Sequence, residues 1–343
     1  MVHAQRPTEN LEAFELYLKG RYFWQRRGED NIRHAIDLFE QATELDPKFA
    51  RAWSSLAAAH LTLTAWSDAS AAEQNPLAVS AAQKALMLDD SLAEAYAVLA
   101  EVAHVDRKWA EAKAYYLRAI ASEPKNSTAY LWYGEFLNTV GHTRDALEEL
   151  LIAYRLDPMH PGTNGELAVT YLWLGDTSNA LKYGAATWDL GAPRGLLMQA
   201  QANQRLGKFE RAMEFLEQFV EQVGDSPFNE AFRLFFEAKM DAAKTPLYLE
   251  FLAENESVLL PDYVPWGHAA FDRIDDAYQM LKRAPDSMTV YSWGFFWSSP
   301  YLAAFRQDPR FAELVTEHGL VDYWREHGWP DACKPAGDSL ICE

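Results

Sequence analysis

Between Ala93 and Leu190 one arrangement of apolar, small and polar positions returns every 34 residues. Ala112, Ala146 and Ala180 keep that step, as do Gly141 and Gly175, Pro124 and Pro158, Tyr96 and Tyr130, and Ala119 and Ala153. Two helical stretches are legible in each period. Tyr130, Tyr133, Gly134 and Leu137 recur at spacings of three and four, which gathers them on one helix face. Gly134 omits a side chain where a second helix must approach. Ala146, Leu150 and Ala153 form the matching face, small at the crossing and larger beside it. Gly141 is expected to end the first helix, because glycine accepts the left-handed conformation of a C-terminal cap. Thr143 is placed to cap the second helix. Pro158 stops it, since the residue before proline avoids helical geometry. One such pair cannot bury its apolar face alone, so neighbours must stack.

The pattern extends in both directions. A first repeat runs over about 11–47, with Gly20 in its first helix and Ala35, Phe39, Ala42 and Pro47 marking its second. Its turn, QRRGEDN, reads as about three residues longer than the regular one. Trp53, Leu56, Ala78, Ala82 and Ala85 set a second repeat, whose turn around TAWSDASAAEQNP carries roughly nine extra residues. Regular units follow at 93–125, 127–160 and 161–192, and Gly207 and Ala212 mark a sixth. Beyond Phe228 the landmarks fade, although FNEAFRLFFEAKMDA and TPLYLEFLAENESVLL still read as amphipathic helices. Asp272, Ala277, Leu281 and Ala284 recover the register of a second helix, and Pro261 and Pro265 shorten the helix before it. Between Tyr291 and Trp329 lie Trp293, Phe295, Phe296, Trp297, Tyr301, Phe305, Phe311, Tyr323 and Trp324, a density of rings that suits a cap over the last apolar face.

A 34-residue period with Trp/Tyr, Leu-Gly, Tyr, Ala, Phe and Pro landmarks resembles the tetratricopeptide repeat, best in AYLWYGEFLNTVGHTRDALEELLIAYRLDP. The resemblance implies an all-α chain, an α-solenoid with right-handed superhelical twist, built from about eight stacked helix-turn-helix pairs and closed by the aromatic end. The expected division is a disordered lead at 1–10, an array of six repeats at 11–225, degenerate helical repeats at 226–290 and a cap and tail at 291–343.

Composition narrows the function. A net charge of −19 over 343 residues argues against nucleic-acid binding, because phosphate contacts need clustered Lys and Arg. An apolar fraction of 49% supplies a continuous core, yet no stretch approaches the roughly 20 apolar residues of a membrane span. MVHAQRPTEN lacks the apolar heart of a signal peptide, so a cytoplasmic chain is expected. Cys333 and Cys342 are then expected as free thiols, although they are close enough to close a small disulfide loop. The nine histidines, His3, His34, His60, His104, His142, His160, His268, His318 and His327, include no pair at helical metal-ligand spacing. GxSxG, HExxH and GxxxxGK[ST] are absent. No cofactor, metal or catalytic set is indicated, and the chain is not expected to be an enzyme.

Two further segments carry a second resemblance. NLEAFELYLKGRYFWQRR with IRHAIDLFEQATELDPKFARAWSSLA, and the ending RQDPRFAELVTEHGLVDYWREHGWPDAC, are similar to the C-terminal repeat region of bacterial winged-helix and adenylate-cyclase-type signalling regulators. No recognition helix or cyclase domain accompanies them in this sequence. The resemblance implies a regulatory module, and a periplasmic one with paired cysteines if it is part of a membrane-anchored regulator.

Tetratricopeptide arrays bind protein or peptide segments on the groove lined by the first helix of each repeat. Carried over by register, that groove is expected to present Glu94, Ala97, Glu101, His104 and Val105, then Thr128, Leu131, Glu135, Asn138 and Thr139. Gly162, Gly165, Val169, Leu172 and Trp173 follow, and then Arg194, Leu197, Gln201, Gln204 and Arg205. Chaperone-binding members hold a C-terminal carboxylate with Lys and Asn at fixed places, where this chain has Ala97, Glu101, Leu131 and Glu135. The expectation is therefore a groove for a basic or amide-rich segment, with Arg194 and Arg205 reversing the field toward the C-terminal end. A second expectation is a small-ligand site in the aromatic C-terminal region.

Overall fold

The structure, a computed structural model, describes residues 8–260, 262–283, 293–337 and 339–343, and the backbone alone at Phe295 and Ser298. Residues 1–7 of the expected lead, with His3, and also Pro261, Ala284 and Tyr291, lie outside the described residues. Among the described residues eight helix pairs follow one another, as the 34-residue pattern implies. The first four are α1 (Leu11–Arg26) with α2 (Glu29–Leu45), α3 (Ala50–Trp66) with α4 (Ala71–Leu88), α5 (Ala93–Val105) with α6 (Trp109–Ser122), and α7 (Ser127–Thr139) with α8 (Thr143–Leu156). Then come α9 (Pro161–Trp173) with α10 (Thr177–Asp189), α11 (Arg194–Arg205) with α12 (Phe209–Val223), α13 (Pro227–Met240) with α14 (Thr245–Glu254), and α15 (Tyr263–Ala269) with α16 (Ile274–Arg283). The fold is an all-α solenoid of stacked pairs. It divides after Ala129 into two compact units.

The alanine step has a direct cause. Ala112, Ala146 and Ala180 have no exposed surface, each sitting where the two helices of its pair cross. A Cβ on Gly134 would come within 2.7 Å of Leu150, so the pair of α7 and α8 closes only over glycine. In the N-terminal unit Ile32, Phe39, Ala57, Leu63, Ala78 and Ala82 belong to one buried cluster. The first helices of successive pairs touch, α1 with α3 and α3 with α5 in that unit, and α9 with α11 in the other. Each unit thus has a face made of first helices, and that face is where a groove must be sought.

Three local expectations are corrected. The extra residues of the second repeat form no long loop: they lengthen α3 and α4 and leave only 67–70 between them. TLTAW and AAEQ are helix-compatible, and Pro76 in the second turn of α4 forgoes only one backbone N–H. The extra residues of the first repeat likewise extend α1 to Arg26, and Arg27 and Gly28, at φ 56° and 81°, make the turn. Thr143 is the buried first residue of α8, whose cap position falls on His142. Gly141, at φ 84°, does end the preceding helix as expected.

Past the eighth pair lie α17 (Trp293–Ser298), α18 (Ala303–Gln307), α19 (Pro309–Glu317), α20 (Leu320–His327) and a hairpin of β1 (Cys333–Ala336) and β2 (Ser339–Cys342). Tyr278 of α16 stacks on Phe305 at 4.4 Å and donates to its carbonyl oxygen at 2.9 Å, so the ring-rich end does cover the last pair. The hairpin was not legible in the sequence. Its register opposes Cys333 and Cys342, and the two are joined by a disulfide. The free-thiol expectation is therefore overturned, because an antiparallel pairing puts the two side chains on the same face at the same step. Among the described residues no helix is long and apolar enough to cross a membrane.

Candidate functional site

On the first-helix face of the N-terminal unit a polar network ties three repeats together. Arg21 of α1 pairs with Glu94 of α5, and Arg21 also donates to Ser55 Oγ at 3.2 Å. Ser54 and Ser55 of α3 donate to the other oxygen of Glu94 at 3.1 and 3.0 Å. Trp24 Nε1 donates to Thr62 Oγ1 at 3.2 Å, and the Arg21 and Arg27 guanidinium carbons lie 4.8 and 4.2 Å from the centre of its ring. Arg21 and Glu94 keep about a third of their side-chain surface open, 28% and 31%. The face therefore carries both signs of charge around a tryptophan. Arg21, Trp24, Ser54 and Ser55 lie outside the regular units, in the first two repeats. The same register run back to the first two repeats reaches Arg21 and Ser54.

The other expected residues of this unit divide by burial. Glu101 is partly open and accepts a hydrogen bond from Tyr116 Oη. Val105 is exposed and Ala97 buried. His104 does not face solvent: it is 1% exposed, with the rings of Trp109 and Tyr116 beside it. Burial drives its pKa down to about 3. In the unfolded chain a histidine protonates near pH 6.5, so the unfolded state binds more protons from there down to about 3. His104 thus contributes its full stability above pH 6.5, and that contribution falls as the pH drops through the window. Between pH 7 and pH 5 the expected loss is about 2 kcal/mol. Urea titrations at both values should show that difference shrink by this amount in His104→Leu, and an unchanged pH dependence would contradict the buried, neutral ring.

In the C-terminal unit the first-helix face is occupied by the chain itself. Three successive carbonyls at and just past the end of α7 accept hydrogen bonds from the C-terminal segment: Thr139 from Trp297 Nε1 at 2.8 Å, Val140 from Trp324 Nε1 at 2.9 Å and Gly141 from the Asp331 N–H at 3.0 Å. The last carbonyls of a helix have no intrahelical partner, and here distant residues supply one. Asp331 also accepts from the Arg144 N–H at 2.8 Å, placing a carboxylate at the positive start of α8. His142 Nε2 meets the Gly328 carbonyl at 2.9 Å. Pro330 lies against Gly141, where a Cβ would come within 2.6 Å of it. Further along, Gly294 leaves the room that the ring of Trp173 fills, and Gln204 Nε2 donates to Tyr301 Oη.

The remaining expected residues follow from this closure. Leu131, Asn138, Thr139, Val169, Leu172, Leu197 and Gln204 are buried, and Asn138 Nδ2 donates to Thr170 Oγ1 at 2.8 Å. Glu135, Gly162, Trp173, Gln201 and Arg205 are half-buried, and Gly165 is buried. Thr128 is the second residue of α7, its N–H donating to Asn126 Oδ1 at 3.1 Å. Arg194 pairs with Glu166 at 2.7 Å, which holds its pKa up, and Glu135 adds to that effect. Arg205 donates to the Leu172 carbonyl oxygen. Of the expected basic end of the groove, Arg205 is turned to a backbone carbonyl and the exposed Arg194 is paired with Glu166.

This geometry defines a class, a helical-repeat solenoid with one first-helix face open and another filled by its own chain. Residues 98–139 and 194–226 each match a sequence profile described as tetratricopeptide repeat. The chain carries tetratricopeptide repeats. The solved structure of PilW, described as a widely conserved type IV pilus biogenesis factor, is 22% identical over 62% of this chain and 94% of its own, with a TM-score of 0.51. PilF of Pseudomonas aeruginosa is also 22% identical, over 62% and 93%, with a TM-score of 0.49. A monomeric mutant of IFIT1 with Gppp-AAAA is 14% identical over 80% of this chain and 71% of its own, with a TM-score of 0.54. No curated protein matches the sequence. At these identities the likeness is one of fold.

Proposed function

We propose that this chain is a non-catalytic tetratricopeptide-repeat scaffold that binds a protein or peptide segment on the first-helix face of its N-terminal unit. The observation that carries the reading is the contrast between the two units. The Arg21, Trp24, Ser54 and Glu94 network lies on a partly open face, whereas the corresponding face of the other unit holds the chain's own end. Glu94 and Glu101 offer carboxylates, Arg21 and Arg27 offer guanidinium groups, and Trp24 offers a ring. Such a face suits an extended segment of mixed polarity better than the basic segment that the acidic composition suggests. The similarity of the chain's ends to those of bacterial signalling regulators supports a regulatory or sensory role for this binding. The disulfide supports the periplasmic alternative for its location, since such bonds persist in oxidising compartments.

Capture of partners from the source-cell lysate tests the reading. Wild type is expected to retain a partner that Arg21→Glu/Glu101→Lys loses and that Gln201→Leu, on the occupied face, keeps. Retention of every partner by the charge-reversed variant contradicts it. The alternative, a small-ligand-sensing domain that uses the aromatic C-terminal region, draws on two cavities beneath that region.

A further inference from the structure

Where the C-terminal segment lies over the first helices, two adjoining cavities remain. The outer one, about 90 Å³, is bounded by Phe228 and Phe232 of α13, Tyr263 and Trp266 of α15, and Phe296 of α17. Leu260 stands at its rim, more than half exposed at 54%. The inner one, about 40 Å³, reaches Arg205 and Gln204 of α11 and Tyr301 of the segment. Gln201, Phe232 and Trp266 line both, so the two are halves of one space. Its outer half is walled mainly by rings, with the buried Asp262 also lining it, and its inner end by a guanidinium, so a carboxylate is favoured at the inner end.

Arg205 is the unusual member. Burial pulls its pKa below the ordinary arginine value, with the hydroxyl of Tyr301 opposing that only in part. It donates to the Leu172 carbonyl, but among the described residues no carboxylate forms an ion pair with it. By comparison Arg21 has Glu94, and the more deeply buried Arg306 spends its donors on three carbonyls. A guanidinium with donors to spare binds a carboxylate in the fork geometry, and does so most strongly where water is scarce. The apolar half decides the rest of the ligand. An apolar cavity of about 150 Å³ accepts benzene, so this smaller, rim-opened one admits a body of no more than a single ring or a short branched chain.

We propose that these cavities form a site for a small monocarboxylate, its compact apolar body among Phe232, Tyr263 and Trp266 and its carboxylate on Arg205 beside Gln201. The site is independent of the scaffold reading, since it lies in the other unit. Phe296 and Tyr301 belong to the C-terminal segment, so an occupant touches both the repeat helices and the segment and holds the one against the other.

Isothermal titration and tryptophan fluorescence with phenylacetate, isovalerate, 2-phenylethanol and phenethylamine test the proposal on the full chain. Saturable binding of one or both acids is expected, with the alcohol and the amine weaker by roughly tenfold or more, the scale of a lost charge-assisted hydrogen bond. Bound acid should also raise the Tm. Arg205→Met should lose at least roughly tenfold in affinity for the acid while the alcohol is unaffected, and Arg205→Lys should lose less. If Arg205→Met does not fold, the wild-type comparison of acid, alcohol and amine decides alone. No saturable binding by either acid, equal binding of acid and alcohol, or unchanged acid binding by a folded Arg205→Met overturns the proposal. None of these outcomes bears on partner capture by the Arg21 face.

Discussion

Replacing Trp324 with alanine is expected to lower the stability of the C-terminal unit by about 3–5 kcal/mol, the range for emptying a large buried ring site. Trp324 has no exposed surface, packs edge-on against Trp297 at 5.3 Å and donates to the Val140 carbonyl at 2.9 Å. Trp324→Phe separates the two contributions. It keeps much of the apolar bulk but leaves the carbonyl without its donor, which costs about 1–3 kcal/mol. Urea unfolding followed by circular dichroism measures both. A loss below about 1 kcal/mol for the alanine variant would mean that the segment is not anchored there.

Arg306→Met is the second substitution with a large expected effect. The Arg306 side chain is 7% exposed and donates to three carbonyls, those of Phe296 and Ser299 at 2.9 Å and of Glu343 at 2.8 Å. Burial lowers its pKa to about 10, yet it remains charged at neutral pH. Removing it relieves a desolvation cost but strands acceptors that lie in two separate stretches of chain. Because each hydrogen bond to a charged group contributes about 1.5–3 kcal/mol, the stranded acceptors should win, with a net loss of about 2–4 kcal/mol. Arg306→Lys should recover only part, since a single ammonium cannot reach Phe296 and Ser299, as Nη1 does, and also Glu343, as Nε does. The same urea titration reads this, and a lysine variant as stable as wild type would show that charge alone suffices.

The repeat was legible because its constraints are local. Ala112, Ala146 and Ala180 must be small where helices cross, and Gly141 must adopt a positive φ, so both leave marks at a fixed step. The return of the C-terminal segment leaves no such mark. Trp297 and Thr139 are 158 residues apart, and Asp331 and Arg144 are 187 apart. Nothing near either partner names the other. The ring density between 293 and 329 did indicate burial, and Tyr278 on Phe305 shows part of its destination; Trp297 goes to the end of α7 and Tyr301 to α11 and α13.

The site divides in the same way. Glu94 lies on a first-helix face where the register puts it, but His104, nearly three turns on in the same helix, is drawn inside beside Trp109 and Tyr116. Periodicity places a side chain on a helix; the partners across the helix decide whether it reaches solvent. For the hairpin, Gly337 between two short stretches and the two cysteines were the available signal, and the pairing gives it meaning.

One unit keeps its first-helix face partly open while the other is closed by its own chain. Amide hydrogen exchange of the intact protein tests this directly. The segment from α17 to Asp331, whose N–H bonds to Gly141, is expected to exchange as slowly as α7, α9 and α11, opening only when that unit unfolds. Exchange of the segment within seconds, with those helices still protected, would contradict the closure.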